Sequence, residues 1–486
     1  MKPSHQTLPL PDPRPLRHGA EMILRRLREA GHQALFAGGS VRDLLHGESP
    51  QDYDVATDAR PDAVQRLFPT AVGVGESFGV MLVVLYAPPG APADCVPVEN
   101  PAGDQDEPFH YEIAAFRRDG PYDDGRRPNT IEFSSPEEDV QRRDFTINGL
   151  LYDPFTQTMY DYVGGVDDMR AHLLRTIGDP VARFTEDALR LMRAVRFATR
   201  FDFTIDPPTA AALKQLAPTI RRIAMERVRD ELTRILTGPR PQVGLQRLMD
   251  IGILPEILPE VAKMVGVDQP AQFHPEGDVW IHTKLLFEIM DRTTPPEKRT
   301  EALVYGVLFH DVGKPDTFQQ GPDRIRFPRH ESVGADIAER ICGKFRMSNH
   351  ETAEIVELVA DHMKFKELDR MRESTLKRFL VRDDIETHLE LHRLDCLASH
   401  GSLAMYDFAR AKLQAIDQAE VKAPPLIKGD DLIALGYPPG PIFRKILEAI
   451  DDLRLEGKLH DRDGALTWVQ KNWPPTGTGK KPNPES

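Results

Sequence analysis

Apolar residues recur at helical spacing from Met22 to Ala30, and an unbroken run from Gln33 to Ala37 then predicts a strand. Gly38 and Gly39 end that run, and Val41 to His46 suits a helix. Alternation at Tyr53 to Thr57, the apolar run Val80 to Tyr86 and the stretch Tyr111 to Phe116 predict three more strands. Between the last two lies Ala87 to His110, rich in Pro, Asp and Glu, which reads as a surface insertion between neighbouring strands. After about Asp168 the strand signals stop and helical periodicity continues to the end, without an internal repeat. Pro and Gly cluster near Gly178–Pro180, Gly238–Pro241 and Ala423–Pro425 and mark boundaries. The expected fold class is α+β: a head with a small mixed sheet and helices, followed by an all-α neck, body and tail. The corresponding limits are a disordered tail at 1–17, the head at 18–168 with its insertion at 87–110, and the neck at 169–240. The helical body follows at 241–423, the helical tail at 424–473 and a disordered end at 474–486.

Composition narrows the class. A chain of 486 residues exceeds a single core, and its 40% hydrophobic and 28% charged content is that of an ordinary globular protein. The sequence has no apolar run of about 18 residues, and Met1 to Arg17 lacks the apolar stretch of a signal peptide. Cys95, Cys342 and Cys396 lie far apart and form no CxxC pair, so a disulfide framework or zinc finger is excluded and a cytoplasmic location is expected. The net charge of −14 opposes nucleic-acid binding unless a local basic stripe exists. Arg190, Arg193, Arg196 and Arg200 supply one, at helical spacing with no acidic residue between them.

Chemistry is concentrated in two places. In the first, Gly38-Gly39-Ser40-Val41-Arg42 opens a helix whose free backbone N–H groups suit a triphosphate, with Arg42 as an added cation. About a dozen residues on, Asp52 and Asp54 stand two apart on a predicted strand and share a face. Carboxylates so placed hold two divalent ions roughly 3.5–4 Å apart, as in-line phosphoryl transfer requires. The stretch GGSVRDLLHGESPQDYDVAT resembles the nucleotidyltransferase motif of the bacterial CCA-adding enzymes and poly(A) polymerases, within the wider polymerase β-like superfamily.

The resemblance continues in order. Arg142-Arg143-Asp144-Phe145-Thr146-Ile147-Asn148-Gly149 is similar to the family's RRDFTINA motif, with Gly149 in place of Ala. It implies that Arg143, Asp144 and Asn148 handle ribose and triphosphate. Glu112 is the candidate third carboxylate, and the loop Tyr122 to Pro128 resembles the one associated with adding the terminal adenosine. Glu186-Asp187-Ala188-Leu189-Arg190 resembles EDxxR, which implies that Asp187 and Arg190, three apart on a helix, read the edge of the incoming base. C and A both present an amine beside an unprotonated ring nitrogen, so one protein surface accepts CTP and ATP. Arg193, Arg196 and Arg200 are candidates for contact with the acceptor-stem phosphates.

The second place lies in the helical body. His282, His310-Asp311 and Asp395 are imidazoles and carboxylates whose burial is costly unless they bind something. This donor set suits Ni, Mn, Zn or Fe, with Mg as the weaker choice. His310-Asp311-Val312-Gly313-Lys314 resembles the HDxGK core of the HD phosphohydrolases; His330 and His362 are candidates for a second metal, and Asp361 competes with Asp395.

The resemblance, from about Gln33 to Val469, implies an enzyme that adds CMP and AMP from CTP and ATP to the tRNA 3′ acceptor end without a nucleic-acid template, with a second, metal-dependent phosphohydrolase activity in the HD domain. Mg²⁺ in the head and a divalent transition metal or Mg in the HD site are its implied cofactors. No membrane and no obligate protein partner are implied. The readings weighed against it are an enzyme adding only A, a poly(A) polymerase, an HD phosphohydrolase acting on RNA ends, and a non-catalytic RNA chaperone.

Overall fold

The computed structural model describes residues 4–5, 8, 14–74, 79–92, 95–100, 106–120, 130–270, 272 and 274–474. The chain divides into two compact units, Met1–Pro259 and Glu260–Ser486. No helix of the described residues is long and apolar enough to cross a membrane.

The first unit is built on an eight-stranded mixed sheet. Its strands are β1 (Ser4–His5), β2 (Ala34–Ala37), β3 (Asp54–Thr57), β4 (Val72–Gly73), β5 (Val80–Ala87), β6 (Glu107–Ala115), β9 (Leu150–Asp153) and β10 (Thr158–Asp161); β7 (Arg117–Asp119) and β8 (Ile131–Phe133) form a separate hairpin. The spatial order is β1-β10-β9-β2-β3-β6-β5-β4, and β3 with β6 is its parallel pair. Helix α1 (Pro15–Glu29) lays Leu16, Ile23, Leu24 and Leu27 on the core shared with Phe36, Tyr53 and Tyr111.

Several expectations need correction. Helix α1 begins at Pro15, not Met22, because proline suits the first helical position and Leu16 is buried. Ser4 and His5 pair with Met159 and Thr158, so part of the 1–17 stretch expected to be disordered belongs to the sheet. Glu107 to His110, taken as insertion, are the start of β6 and pair with Val84 to Ala87. Strands β9 and β10 were not anticipated, since they are four residues each and separated by a turn.

Helices complete the unit: α2 (Gly39–His46), α3 (Pro61–Leu67), α4 (Pro136–Gln141), α5 (Gly165–Arg170), α6 (Pro180–Glu186), α7 (Leu189–Phe201), α8 (Pro207–Leu216), α9 (Met225–Thr237), α10 (Pro241–Ile251) and α11 (Ile253–Ile257). The last two were expected in the helical body. They belong to the first unit, where Gly244 meets Ile235 and Thr199 so closely that a Cβ would clash, and Arg247 donates to Thr199 and the Phe203 carbonyl. The second unit is helical apart from a short hairpin of Gln319–Gln320 with Ile325–Arg326, and Val279–Thr293, Glu301–Phe309, His330–Lys344, Asn349–Asp361 and Ile385–Ala398 carry or border its metal-ligating candidates. Its final helices, Pro441–Leu455 and Arg462–Asn472, bury Ile446, Ile450, Ala465 and Val469 with Ile427, Leu432 and Tyr437.

Candidate functional site

Sheet register collects the first site. Ala37 at the end of β2 faces Asp54 at the start of β3, and Leu151 of β9 faces Ala37 on its other side. Val55 is level with Ile113 in the parallel pair, which puts Glu112 beside Asp54. Three segments distant in sequence thus meet at one end of three adjacent strands. Asp52 precedes β3 and is exposed, Tyr53 between the two aspartates is fully buried, and the expected alternation is kept although Asp52 is outside the strand. Burial, then the charge of Asp52, then that of Glu112 push the Asp54 carboxyl up to about 7. A cluster of like charges of this kind fits a divalent cation.

The turn between β2 and α2 depends on Gly38, whose φ is +63°. The conformation requires glycine, and a Cβ there would lie 2.9 Å from the Arg143 guanidinium and push it aside. Ser40 is buried and donates its hydroxyl to the Ala37 carbonyl at 3.1 Å, which leaves only its backbone for a phosphate. Arg42 is buried as well, donating to Asp43 and to Asn148 Oδ1, both at 2.7 Å. The Asn148 amide donates to Asp144 at 2.9 Å, and Arg193 donates to the other Asp144 oxygen at 2.8 Å. Burial pushes the Asp144 carboxyl up, but Arg193 and Asn148 outweigh it and hold the group at about 2. A continuous chain of hydrogen bonds therefore runs Asp43–Arg42–Asn148–Asp144–Arg193 and ties α2 to α7.

A cavity of about 560 Å³ opens on these groups; Gly38, Gly39, Arg42, Asp52, Asp54, Arg143, Asp144, Asn148, Asp187, Arg190, Arg193, Arg196 and Arg200 line it. Ser40 and Glu112 are not in the lining. Asp187 and Arg190 are not on one helix, contrary to expectation. Asp187 ends α6 in an extended conformation and Arg190 is in the first turn of α7, where its backbone N–H donates to the Asp187 carbonyl. Arg227 pairs with Asp187 at 3.1 Å and Glu186 with Arg190 at 2.8 Å. The stripe Arg193, Arg196, Arg200 lacks acidic neighbours in sequence but not in space. Glu231 pairs with Arg196 at 2.7 Å, and Arg200 pairs with Asp43 and Glu48. Sequence reasoning missed Asp139, a buried carboxylate that accepts from both Arg142 and Arg143. The expected loop Tyr122 to Pro128 lies outside the described residues.

The second unit gathers all six expected ligands. His282, His310, Asp311, His330 and His362 are buried, and Asp395 is nearly so. His310 follows the apolar helix Glu301–Phe309, His330 opens the next long helix, and His362 ends Asn349–Asp361. Three rings are fixed by backbone: Nδ1 of His310 on the Val307 carbonyl, of His330 on Phe327, and of His362 on Val359. Each Nε2 is thereby turned inward. Asp311 Oδ2 lies 3.2 Å from His310 and 3.9 Å from His282, while Oδ1 lies 3.4 Å from His330 and 3.9 Å from His362. One carboxylate therefore joins two ligand groups, His282–His310–Asp311 and Asp311–His330–His362. Nε2 of His310 is buried and makes no hydrogen bond. With only the Asp311 carboxylate close by and no well-formed hydrogen bond, this buried nitrogen fits a metal ligand, since a buried polar atom left unsatisfied is costly.

Asp395 faces His282 at 3.1 Å. Its competitor Asp361 is engaged by Arg382 and Lys364. The glycine of the HDxGK core has a steric reason: a Cβ on Gly313 would lie 2.2 Å from the His330 carbonyl. Lys314, also buried, pairs with Asp311 at 2.6 Å and donates to Gln269 at 2.6 Å. A cavity of about 620 Å³ opens on Asp311, His330, His362 and Asp395, with Arg324, Arg326 and Lys366 among its walls.

Three family models match along the chain. Residues 34–175 match the poly A polymerase head domain, 202–264 the family described as the probable RNA and SrmB-binding site of polymerase A, and 278–389 the HD domain. The CCA-adding enzyme of Levilactobacillus brevis is 40% identical over 235 residues, 48% of this chain and 54% of its own length. That of Geobacillus kaustophilus is 39% identical over 244 residues, 50% of this chain and 55% of its own. The chain thus spans about half the length of the curated relatives it matches. The crystal structure of the Bacillus stearothermophilus CCA-adding enzyme in complex with CTP superposes with a TM-score of 0.68 at 23% identity, covering 94% of this chain and 97% of that one. The Thermotoga maritima enzyme complexed with tRNA gives 0.54 at 20% identity, over 93% and 94% of the two chains. The chain thus carries, in order, a poly A polymerase head domain, a segment of the family described as the probable RNA and SrmB-binding site of polymerase A and an HD domain, on the fold of the CCA-adding enzymes.

Proposed function

We propose that this protein is a cytoplasmic nucleotidyltransferase that adds CMP and AMP from CTP and ATP to the 3′ end of tRNA. The observation that carries the reading is the meeting of Asp52, Asp54 and Glu112 with the glycine turn and an arginine-lined cavity. Mg²⁺ held by Asp52 and Asp54 would supply the acidity for the 3′-hydroxyl and the charge for the departing pyrophosphate. The protein does the positioning. Backbone N–H groups of Gly39 and Ser40 and the Arg143 guanidinium receive the triphosphate, and Asp144 with Asn148 keeps Arg42 and Arg193 aimed into the cavity. Asp187 and Arg190 meet the base edge, where a carboxylate accepts from the exocyclic amine and a guanidinium donates to the bare ring nitrogen.

The test uses transcripts ending before, within and just short of CCA, with CTP and ATP supplied separately and together. Addition of C, C and A that then stops supports the reading. Addition of A alone to the transcript ending in CC makes the protein an A-adding enzyme, and prolonged A addition makes it a poly(A) polymerase. No addition to any transcript overturns the proposal.

The cavity arginines also lie on the route of the primer. Arg196→Gln combined with Arg200→Gln is expected to weaken tRNA binding and lower the slope of log affinity against log salt by about 1–2. Glutamine is the better change, because glutamate at 196 would face Glu231. Unchanged binding across salt would assign these arginines to structure alone.

In the second unit the supporting observation is the gathering of buried His282, His310 and Asp311, with His310 Nε2 3.2 Å from Asp311 Oδ2, beside Asp395. We propose a metal-dependent phosphohydrolase centre there, with Ni, Mn, Zn or Fe, or Mg, at one position and a second ion at Asp311, His330 and His362. The bound metal would supply an activated hydroxide; the protein supplies fixed imidazoles and a cationic cavity wall.

A further inference from the structure

Glu276 holds two imidazoles with one oxygen. Its Oε1 accepts from His282 Nδ1 at 2.6 Å and from His274 Nδ1 at 2.9 Å. Its other oxygen is buried and makes no hydrogen bond. The two rings meet edge to face, with centroids 4.8 Å apart. His282 turns its Nε2 toward Asp395, whereas His274 lines the cavity beside Asp311, Lys314, His330 and His362. The segment matched to the HD domain begins at residue 278, so both His274 and Glu276 lie upstream of it.

Nδ1 of each of the other three histidines of the centre lies on a backbone carbonyl, with Glu331 also 3.5 Å from that of His330, whereas His282 Nδ1 is held by the Glu276 carboxylate at 2.6 Å. A carboxylate on Nδ1 fixes the tautomer, aims the Nε2 lone pair and makes the ring a stronger ligand. The same logic applies to His274. Once its Nδ1–H is given to Glu276, its Nε2 carries a lone pair, which can accept a hydrogen bond from a donor in the cavity.

We propose that Glu276 is the positioning residue of this centre, setting His282 toward the metal and His274 toward a phosphate ester whose free hydroxyl donates to His274 Nε2. The His274 half rests on the phosphohydrolase reading given above; the His282 half requires metal binding alone.

Both halves are read on the full chain, stripped of metal and titrated with Ni²⁺ by calorimetry. Glu276→Gln is expected to weaken Ni²⁺ binding by about 10–100-fold, and Glu276→Asp to recover part of the loss. His274→Ala is expected to bind Ni²⁺ as wild type does. It should lose about tenfold or more of kcat/KM on glycerol 2-phosphate, which has free hydroxyls. On p-nitrophenyl phosphate, which has none, it should lose much less. Nucleotide addition by the same samples reports folding of the remainder. Wild-type Ni²⁺ affinity in Glu276→Gln overturns the positioning role. Equal losses on the two esters in His274→Ala overturn the hydroxyl contact. A metal-loaded wild type that hydrolyses neither ester sinks the phosphohydrolase reading and the His274 half with it, while the affinity of Glu276→Gln still decides the other half.

Discussion

Asp54→Asn is expected to abolish nucleotide addition while making the metal-free protein more stable above neutral pH. Addition should fall by about 10³-fold or more, because the charge stabilisation lost with a metal ligand is several kcal/mol. The stability change follows from the carboxyl held at about 7 by burial, Asp52 and Glu112. In the unfolded chain an aspartate titrates near 3.9. The folded state therefore prefers the neutral form; its relative stability is fully present below about pH 4 and is lost as pH rises through about 7. At about pH 8 the three carboxylates cost the metal-free fold roughly 2–4 kcal/mol, which asparagine removes. Thermal melts in EDTA should show Asp54→Asn melting several degrees above wild type at pH 8 and level with it at pH 4. Mg²⁺ should raise the wild type and leave the variant unmoved. A variant that melts with wild type at both pH values would mean that Asp52, Asp54 and Glu112 do not form one electrostatic cluster.

The elements of that cluster were legible because they are short-range. A glycine turn, two carboxylates two residues apart and an RRDFTIN segment each carry their meaning within a few positions. Their meeting is a matter of register, with Ala37 opposite Asp54 and Glu112 beside it, and that could only be inferred from resemblance. The second layer was not legible. Asp139 carries two arginines and Glu231 neutralises Arg196 from 35 residues away, yet each reads in sequence as one more acid on a helix surface. The charge stripe along α7 was real as a pattern and misleading as an exposed surface, since its partners are supplied by α2 and α9. Asp187 and Arg190 were placed on one helix because nothing in EDALR marks a break. The break is made by the Asp187 side chain, which accepts from the Leu189 N–H and so starts the next helix. The boundary at 241 failed for a related reason: Pro and Gly mark the end of an element, and whether the following helix packs forward or back is decided by the residues it buries. In the HD site, by contrast, six candidate ligands were legible from their resemblance to the HD pattern, and the structure brings them together. Only Glu276 and His274, whose importance lies in what they hold, went unseen.

Asp311→Asn is expected to empty the HD centre of metal while leaving nucleotide addition at the wild-type rate. Asp311 is the residue that both ligand groups share, with Oδ2 toward His310 and His282 and Oδ1 toward His330 and His362. Its carboxyl is held well below the usual range in spite of burial, chiefly by Lys314 and His310, so it is an anion at every working pH. An amide offers one neutral acceptor in place of two charged ones and cannot serve both groups. Bound Ni²⁺ or Mn²⁺, measured by elemental analysis after dialysis, should fall from two ions to none, and phosphatase activity by about 10³-fold or more. The change also strands Lys314, which is buried and pairs with Asp311, at a cost of a few kcal/mol. His362→Asn avoids that penalty, because His362 faces only the second group. It should retain one ion of two and fold as wild type does. Two ions in His362→Asn would reject the second site, and full metal content in Asp311→Asn would reject the shared ligand. Nucleotide addition that falls along with the metal would show that the HD centre supports the transferase itself, which the separate ligand sets of the two units do not require.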